Sequence, residues 1–546
     1  MPFIKRPSAA ALGWGSGAAG FIILLLLPLS FLLYRMIQPA GDNWAHIQEY
    51  LLLGYTIDTL TLAVIVGILS VALGTTLAWL VSAYSFPFRN TLKWALLMPL
   101  AVPPYIGGYA YHGMLNYTGF IQRTLRNTFD IEVSQRYFDI MNIPGAVFIF
   151  TIFLYPYVYA ITRAFFARQA TTLIENARVL GSGPVRTFFR IVLPVSRAAI
   201  VGGVTLVMLE VLNDYGLVSY FGVQTFSTAI FQTWYALDDL DSAIRLAGIL
   251  MGLVLVFLVL EKVFRGRRQY SYSSAKVSPL KPRVLEGWKK WSTLSFCGTV
   301  LLLGFILPMV QLLYWGMLTY EAVFSAQFVS LVRNSTLAAG ISSLLVVVFA
   351  VIVANFTRIV PGWLSTITAR FTVLGYSIPG AVIAVGVLSF FIYMEQRLQF
   401  IYTFSGISGG LVLSTSLVML IFAYVIRFMA VGYNSIESGF EKIGRRYSEA
   451  SRTLGMGWLQ TFFKVDLPMI RAAVFSGFIL VFVDILKELP LTLILRPFNF
   501  ETLATTAYRY ASDERIQETA VPSLSIILVS GAAMYIFHIF IEKEPN

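Results

Sequence analysis

The sequence predicts an all-α polytopic membrane protein, with about twelve transmembrane helices arranged as two parallel six-helix repeats. Three observations lead there. Hydrophobic residues fill 57% of the 546 positions and charged residues 12%, with mean hydropathy +0.74, more apolar side chain than one soluble core could bury. The apolar residues fall in runs of about 20, the length a helix needs to cross about 30 Å of hydrocarbon. One 25-residue segment also recurs half a chain further on. Outer-membrane barrels are excluded, since their strands are short and alternate in polarity. The single Cys297 permits no internal disulfide, and His46, His112 and His538 lie too far apart in sequence for a His/Cys metal cluster, so no metal ligands are assigned.

Taken in order, spans are expected near residues 17–37, 57–83, 92–115, 144–165, 198–217 and 243–264. The second set lies near 293–316, 334–357, 369–394, 409–431, 472–492 and 521–541. Lys5 and Arg6 precede the first run as in a signal peptide, but no small-x-small cleavage site follows, so it reads as a retained helix. A polar, Ser/Tyr-rich and basic stretch with Pro279 and Pro282 separates the sets and reads as a linker. The expected organisation is a first repeat at 1–264, a linker at 265–290 and a second repeat at 291–546. The net charge of +12 would suggest nucleic acid in a soluble chain; here it asks on which side of the bilayer the positives lie. With charges assigned to alternating sides, about three quarters of the 40 Lys and Arg fall on the side of the N-terminus. The positive-inside rule then places both termini, the linker, and the loops after spans four and ten in the cytoplasm. No nucleic-acid partner is called for.

Those two loops carry the most specific signal. From Glu175 the chain reads ENARVLGSGPVRTFFRIVLPVSRAA, and from Glu449 EASRTLGMGWLQTFFKVDLPMIRAA, 274 residues later and identical at 13 of 25 positions without a gap. A fixed spacing of Glu, Gly, Leu and Pro arises by chance on the order of once in 10⁵ starts. Finding it twice indicates duplication, and an even number of spans per half puts both copies on one face, as parallel repeats. Locally, Glu175 to Leu180 has helix-forming spacing, Gly181 can end that helix in a left-handed conformation, and Pro194 suits the first turn of a second helix. The pattern predicts a helix, a sharp turn and a helix, presenting Val179, Leu180 and Phe188 as an apolar knob rimmed by arginines. A single such loop would read as an amphipathic segment on anionic lipid; duplication in register favours docking.

These residues resemble the signature of the permease subunits of binding-protein-dependent ABC transporters of type I fold. The signature is Glu-Ala-Ala, three residues, Gly, nine residues, an aliphatic, one residue, then Leu-Pro. Here it is met by Glu175, Ala177, Gly181, Ile191, Leu193 and Pro194, and by Glu449, Ala450, Gly455, Val465, Leu467 and Pro468, with Asn176 and Ser451 departing from it. The resemblance implies the type I ABC importer permease fold in a bacterial inner membrane, with these loops coupling to two copies of an ATP-binding subunit and the outer face meeting a periplasmic substrate-binding protein. It also implies a chain with no cofactor and no catalysis of its own, ATP being bound by the partner; the sequence holds no Gly-Lys pair and so no phosphate-binding loop of the G-x-x-x-x-G-K type. Residues 212–226 and 484–504 resemble the fused ferric-iron permeases, which implies ferric iron as cargo. Thiamine, an organophosphonate or a polyamine on the same architecture remain alternatives, as does an ion-gradient-driven secondary transporter with its acids as proton relays.

At the same offset Glu210 matches Asp484 and Asp214 matches Glu488, which puts two carboxylates at i and i+4 on one face of each fifth span. Intramembrane acids face partners or water-filled cavities, and hard ferric iron prefers oxygen donors, so these four are the candidate translocation path or gate. They could equally be helix-end groups paired with Lys487 or Arg496, or contacts for the binding protein. Asp238, Asp239, Asp241, Asp513, Glu514 and Glu518 read as a solvated outer rim. Pro99, Pro103 and Pro104 in span three and Pro379 in span nine interrupt helices in comparable places, as pathway breaks or as passive kinks.

Overall fold

The computed structural model describes residues 9–168, 179–265, 282–360, 362–404 and 412–542. The structure is helical apart from a two-residue parallel pairing of Tyr84–Ser85 with Arg283–Val284 among the described residues. The long helices of the first half are α1 (Ala9–Met36), α2 (Leu52–Ala83), α3 (Pro104–Leu115), α4 (Ile143–Arg168), α5 (Leu193–Asn213) and α6 (Leu240–Arg265). Those of the second are α7 (Leu307–Val323), α8 (Ala326–Ile359), α9 (Gly380–Phe404), α10 (Leu417–Ile443), α11 (Arg471–Leu486) and α12 (Ala520–Glu542).

Among the described residues, ten helices are long and apolar enough to cross a membrane, and the pair Trp458–Met469 and Arg471–Leu486, bent by 69°, makes an eleventh. The third expected span is the exception. It is divided into Arg89–Ala95, a tight turn at Met98–Ala101, an extended Val102–Pro103 and then α3, and none of these pieces alone is long enough to cross. Three prolines explain it: each lacks an N–H for the helical ladder and pushes the preceding residue out of the helical region, while Pro104 can open the next helix. The ninth span divides in the same way, with a helix at Trp363–Ser377, an extended Ile378 and then Pro379 before α9.

The fifth span of each half also stops earlier than expected. α5 ends at Asn213 and is followed by a short helix, Gly216–Tyr220; α11 ends at Leu486 and is followed by Pro490–Leu495. A second helix then starts in each half, Phe226–Tyr235 and Leu503–Ser512, both opened by a capping box, Thr225 with Thr228 and Thr502 with Thr505. The two boxes lie 277 residues apart, so the second half carries three extra residues between its acids and this helix.

Within each half the second and fourth helices pack tightly, α2 on α4 and α8 on α10. Glycine permits the approach in both, but from opposite partners: a Cβ on Gly74 of α2 would lie 2.9 Å from Val158 of α4, and one on Gly432 of α10 would lie 2.7 Å from Val346 of α8. The first helix of each half also reaches the other half, α1 along much of its length and α7 in part, beside its packing on α12 of its own half. α1 lies along α8 and α9, with Phe21 on Phe349 at 5.1 Å and Phe31 on Phe390 at 6.2 Å. α7 lies against α3 and α12, and just ahead of it Leu303 accepts a hydrogen bond through its carbonyl from Tyr111 at 2.5 Å. The sequence halves are therefore interlocked in space.

Candidate functional site

The duplicated loop and the four acids lie in two separate places. In the first loop Glu175 and Ala177 lie outside the described residues. Gly181 takes φ +75° and its twin Gly455 φ +85°, the left-handed turn expected of both. In the second loop the short helix Arg446–Thr453 turns Glu449 and Ala450 to the surface and buries Ser448 and Ser451. The exposed apolar tips are Val179 and Leu180 in the first loop and Leu454 in the second. Phe188 is not part of the knob: it turns inward onto Trp79 at 5.9 Å, and its twin Phe462 is buried against Trp14 at 4.6 Å. The next residue, Phe189 or Phe463, is the exposed one, because successive positions on a helix point about 100° apart.

The second arm of each loop holds a feature that motif spacing alone does not reveal. Phe188–Val192 and Phe462–Asp466 are both single π-helical turns, 274 residues apart, each closed by the N–H of the following leucine, Leu193 or Leu467, on the phenylalanine carbonyl. Pro194 and Pro468 come next; neither can donate to the carbonyl four residues back, and the wider turn accommodates that. The Leu-Pro pair thus shapes the loop and its exit helix, with Pro194 and Pro468 exposed.

Glu210, Asp214, Asp484 and Glu488 line one partly open cavity of about 100 Å³, room for a few waters. Its walls include two of the three prolines of the first-half break, Pro103 and Pro104, together with Tyr105, Tyr157, Tyr376, Asn213, Arg427 and Lys487. The i, i+4 expectation holds only in part. Asp214 lies beyond the end of α5 and caps the next short helix, accepting from Leu217 N at 2.9 Å and Val218 N at 3.3 Å. Glu488 does the same after α11, accepting from Leu491 N and Thr492 N at 3.2 Å each and from Thr492 Oγ1 at 3.1 Å. Each helix stops before its second acid because that carboxylate satisfies the N–H groups of the helix that follows.

Two cations enter the same space. Lys487 Nζ lies 2.9 Å from Asp484 Oδ1, and Arg427 Nε lies 3.7 Å from Glu488 Oε1 while its Nη1 donates to the Ile378 carbonyl at 3.3 Å. Glu210 accepts from the hydroxyls of Tyr157 and Tyr376 at 3.5 and 3.3 Å. Asn213 Oδ1 accepts from Gly380 N at 2.6 Å, pinning the ninth-span break to the first half. Four carboxylates thus face two cations across the seam between the repeats. Among the described residues no three His, Cys, Asp or Glu side chains lie close enough together to hold a metal ion. Arg496, the other partner considered for these acids, pairs with Glu501 instead. Sequence reasoning missed Arg427, Tyr157 and Tyr376; the lone arginine within an apolar run was the available signal.

The expected outer rim is partly internal. Asp239 is buried, accepting from Ser242 N and Oγ at 2.9 and 2.7 Å and from Asn43 N and Nδ2 at 3.1 Å each. Burial works against its charge, but these donors outweigh it and hold its carboxyl below the usual range. Asp241 pairs with Arg35 at 2.6 Å and Glu518 with Arg515. The first-half acids therefore tie the α1 exit to the start of α6.

The sequence family described as "binding-protein-dependent transport system inner membrane component" matches residues 70–261 and 346–544, once in each half. The Fe(3+)-transport system permease protein FbpB 2 of Haemophilus influenzae is 26% identical over 483 residues, 88% of either chain. The sulfate transport system permease protein CysT of Escherichia coli is 27% identical over 210 residues, 38% of this chain and 73% of that one. Among solved structures, a bacterial alginate ABC transporter in complex with its periplasmic protein gives a TM-score of 0.38 at 16% identity, covering 46% of this chain and 92% of that chain.

Proposed function

Because the chain belongs to the family of inner membrane components of binding-protein-dependent transport systems, a multi-pass permease with both membrane units in one polypeptide, we propose that its cargo is ferric iron. The observation that carries this reading is the iron permease likeness running through both halves, where the sulfate permease likeness covers 38% of the chain. The cavity agrees in sign. Four acids against Arg427 and Lys487 leave two carboxylates in excess, and a hard cation satisfies oxygen donors in that setting.

In this reading a binding protein delivers the cargo to the face opposite the duplicated loops. Two ATP-binding subunits hold the loops, one at Leu180 and Gly181, the other at Glu449, Ala450 and Leu454, from a cytoplasm that also holds both termini. Their closure on ATP swings the interlocked repeats and opens the cavity outward, and hydrolysis returns it. The chain itself binds, sequesters and releases; its work is a coupling free energy between the loops and the cavity.

The two cavity cations favour one rival, an oxyanion cargo. Uptake of radiolabelled ferric iron and of molybdate, measured in cells with and without the chain, separates them. Iron uptake that depends on the chain and on ATP supports the reading, and chain-dependent molybdate uptake with unchanged iron uptake overturns it.

A further inference from the structure

The second loop is fastened to the bundle by a buried polar junction whose ion-pairing residues have no charged counterpart at the matching positions of the first half. Arg358 stands in the last turn of α8, where a cation complements the helix dipole. Its Nη2 donates to the Gly444 carbonyl at the end of α10 and to Ser448 Oγ of the motif helix, both at 2.6 Å. Its Nη1 lies 3.1 Å from Asp466 Oδ1 in the π turn, and Ser448 Oγ also donates to Asp466 at 2.5 Å. The guanidinium covers the Phe440 ring at 4.8 Å. The Arg358 and Asp466 side chains are only 10% and 6% exposed. One side chain thereby grips both arms of the loop and the end of α10.

At the matching positions of the first half stand Tyr84 and Val192. There, among the described residues, the second arm of the loop packs on aromatic rings, Phe188 on Trp79 at 5.9 Å and Trp79 on Tyr84 at 6.2 Å. The fold therefore does not require an ion pair at this position. A buried pair is also poor value for stability alone, since desolvation offsets most of its attraction. What it supplies is direction: short charge-assisted bonds fix an orientation that ring contacts allow to slide.

We propose that Arg358 and Asp466 are positioning residues that transmit displacement of the second loop into α8, so that the two docking loops drive transport unequally. The inference rests on the loops being the ATPase docking sites. α8 has 34 residues and extends about 50 Å at 1.5 Å per residue, from the junction to the opposite end of the bundle. About two turns short of that end, and about 36 Å from Arg358, Asn334 Nδ2 donates to the Glu501 carbonyl at 3.3 Å and Ser335 Oγ accepts from Leu503 N at 2.8 Å. Glu501 and Leu503 lie on the segment that leads away from the cavity helix Pro490–Leu495. A shift of α8 at the loop is thus felt where that segment ends.

The test uses the complete transporter, with its ATP-binding subunits and binding protein, in proteoliposomes, and reads cargo moved per ATP hydrolysed. Arg358→Met and Asp466→Asn should keep the ATPase bound and active while this ratio falls about tenfold, within the span seen for substitutions in coupling networks. The exchange Arg358→Asp with Asp466→Arg should restore most of it, and Arg358→Lys should lie between. Tyr84→Phe in the first half should leave the ratio unchanged. An unchanged ratio in Arg358→Met, or transport and hydrolysis falling together at the wild-type ratio, would overturn the proposal. Glu449→Lys separates the two readings: if it leaves the ATPase bound, docking fails; if it releases the ATPase while Arg358→Met transports normally, only the transmission role fails.

Discussion

Phe153, Asn213 and Tyr84 of the first half stand where the second half has Arg427, Lys487 and Arg358. Around these substitutions the backbone devices are the same: the left-handed glycine, the π turn, the early end of the fifth span, the acid that caps the next helix, and the capping box. The duplication thus preserved geometry while charge diverged, and both cations of the cavity came to lie in one half. Two copies of the first half would offer four carboxylates and no counter-charge; the asymmetric pair keeps two acids engaged with cations, while Glu210 accepts from the tyrosine hydroxyls of Tyr157 and Tyr376.

Several substitutions test how far that comparison goes. The largest effect is expected at Arg427. Its replacement by Met leaves Glu488 buried beside an apolar group, which costs about 3–5 kcal/mol, whereas Phe153→Leu at the matching position leaves no charge unpaired and should cost less. Thermal unfolding in detergent reads both, and equal losses would show that the halves are not chemically distinct there. Next, Gly181→Ala and Gly455→Ala force a Cβ into the left-handed region for about 1–2 kcal/mol each. The two should weaken ATPase binding alike in a pull-down, because this device is shared; a one-sided effect would break the equivalence of the turns.

Smaller still, Thr225→Ala and Thr502→Ala each remove a capping box for about 1 kcal/mol, and similar losses in melting are expected in both halves. Finally, the Asp239 carboxyl is held below its ordinary value of about 3.9. Its stabilising contribution is therefore present above that value and fades as pH falls through the lowered folded value. Melting followed from pH 6 downward should lose stability in the acid range, and Asp239→Asn should flatten the curve. Arg515→Gln in the second half, which breaks an exposed pair with Glu518, should change little.

Much of this architecture was legible in the sequence because it rests on period and repetition. The Gly181 and Gly455 turns, the helix starts at Leu193-Pro194 and Leu467-Pro468, and the long apolar spans all follow from local rules. The broken third span was legible too, from three prolines, though its pieces were not. Packing was less visible. Nothing in the periodicity of α1 says that Trp14 will cross to Phe462 of the other half, because helix exchange depends on tertiary choices that both arrangements satisfy. The inward turn of Phe188 is hidden from the sequence for a related reason: the π turn that rotates it arises from Pro194 six residues on. The four acids were found from their offset, but their partners Arg427, Tyr157 and Tyr376 come from three different helices and meet only in the fold.

The central claim is that cargo passes between the halves through the cavity bounded by these acids. Glu210→Gln tests it most directly, since Glu210 neither caps a helix nor lies in an ion pair among the described residues. With wild-type amounts of ATPase bound, ferric iron uptake into proteoliposomes should fall at least about tenfold, as expected when a group in the transport path loses its charge. Uptake at the wild-type rate would contradict the account.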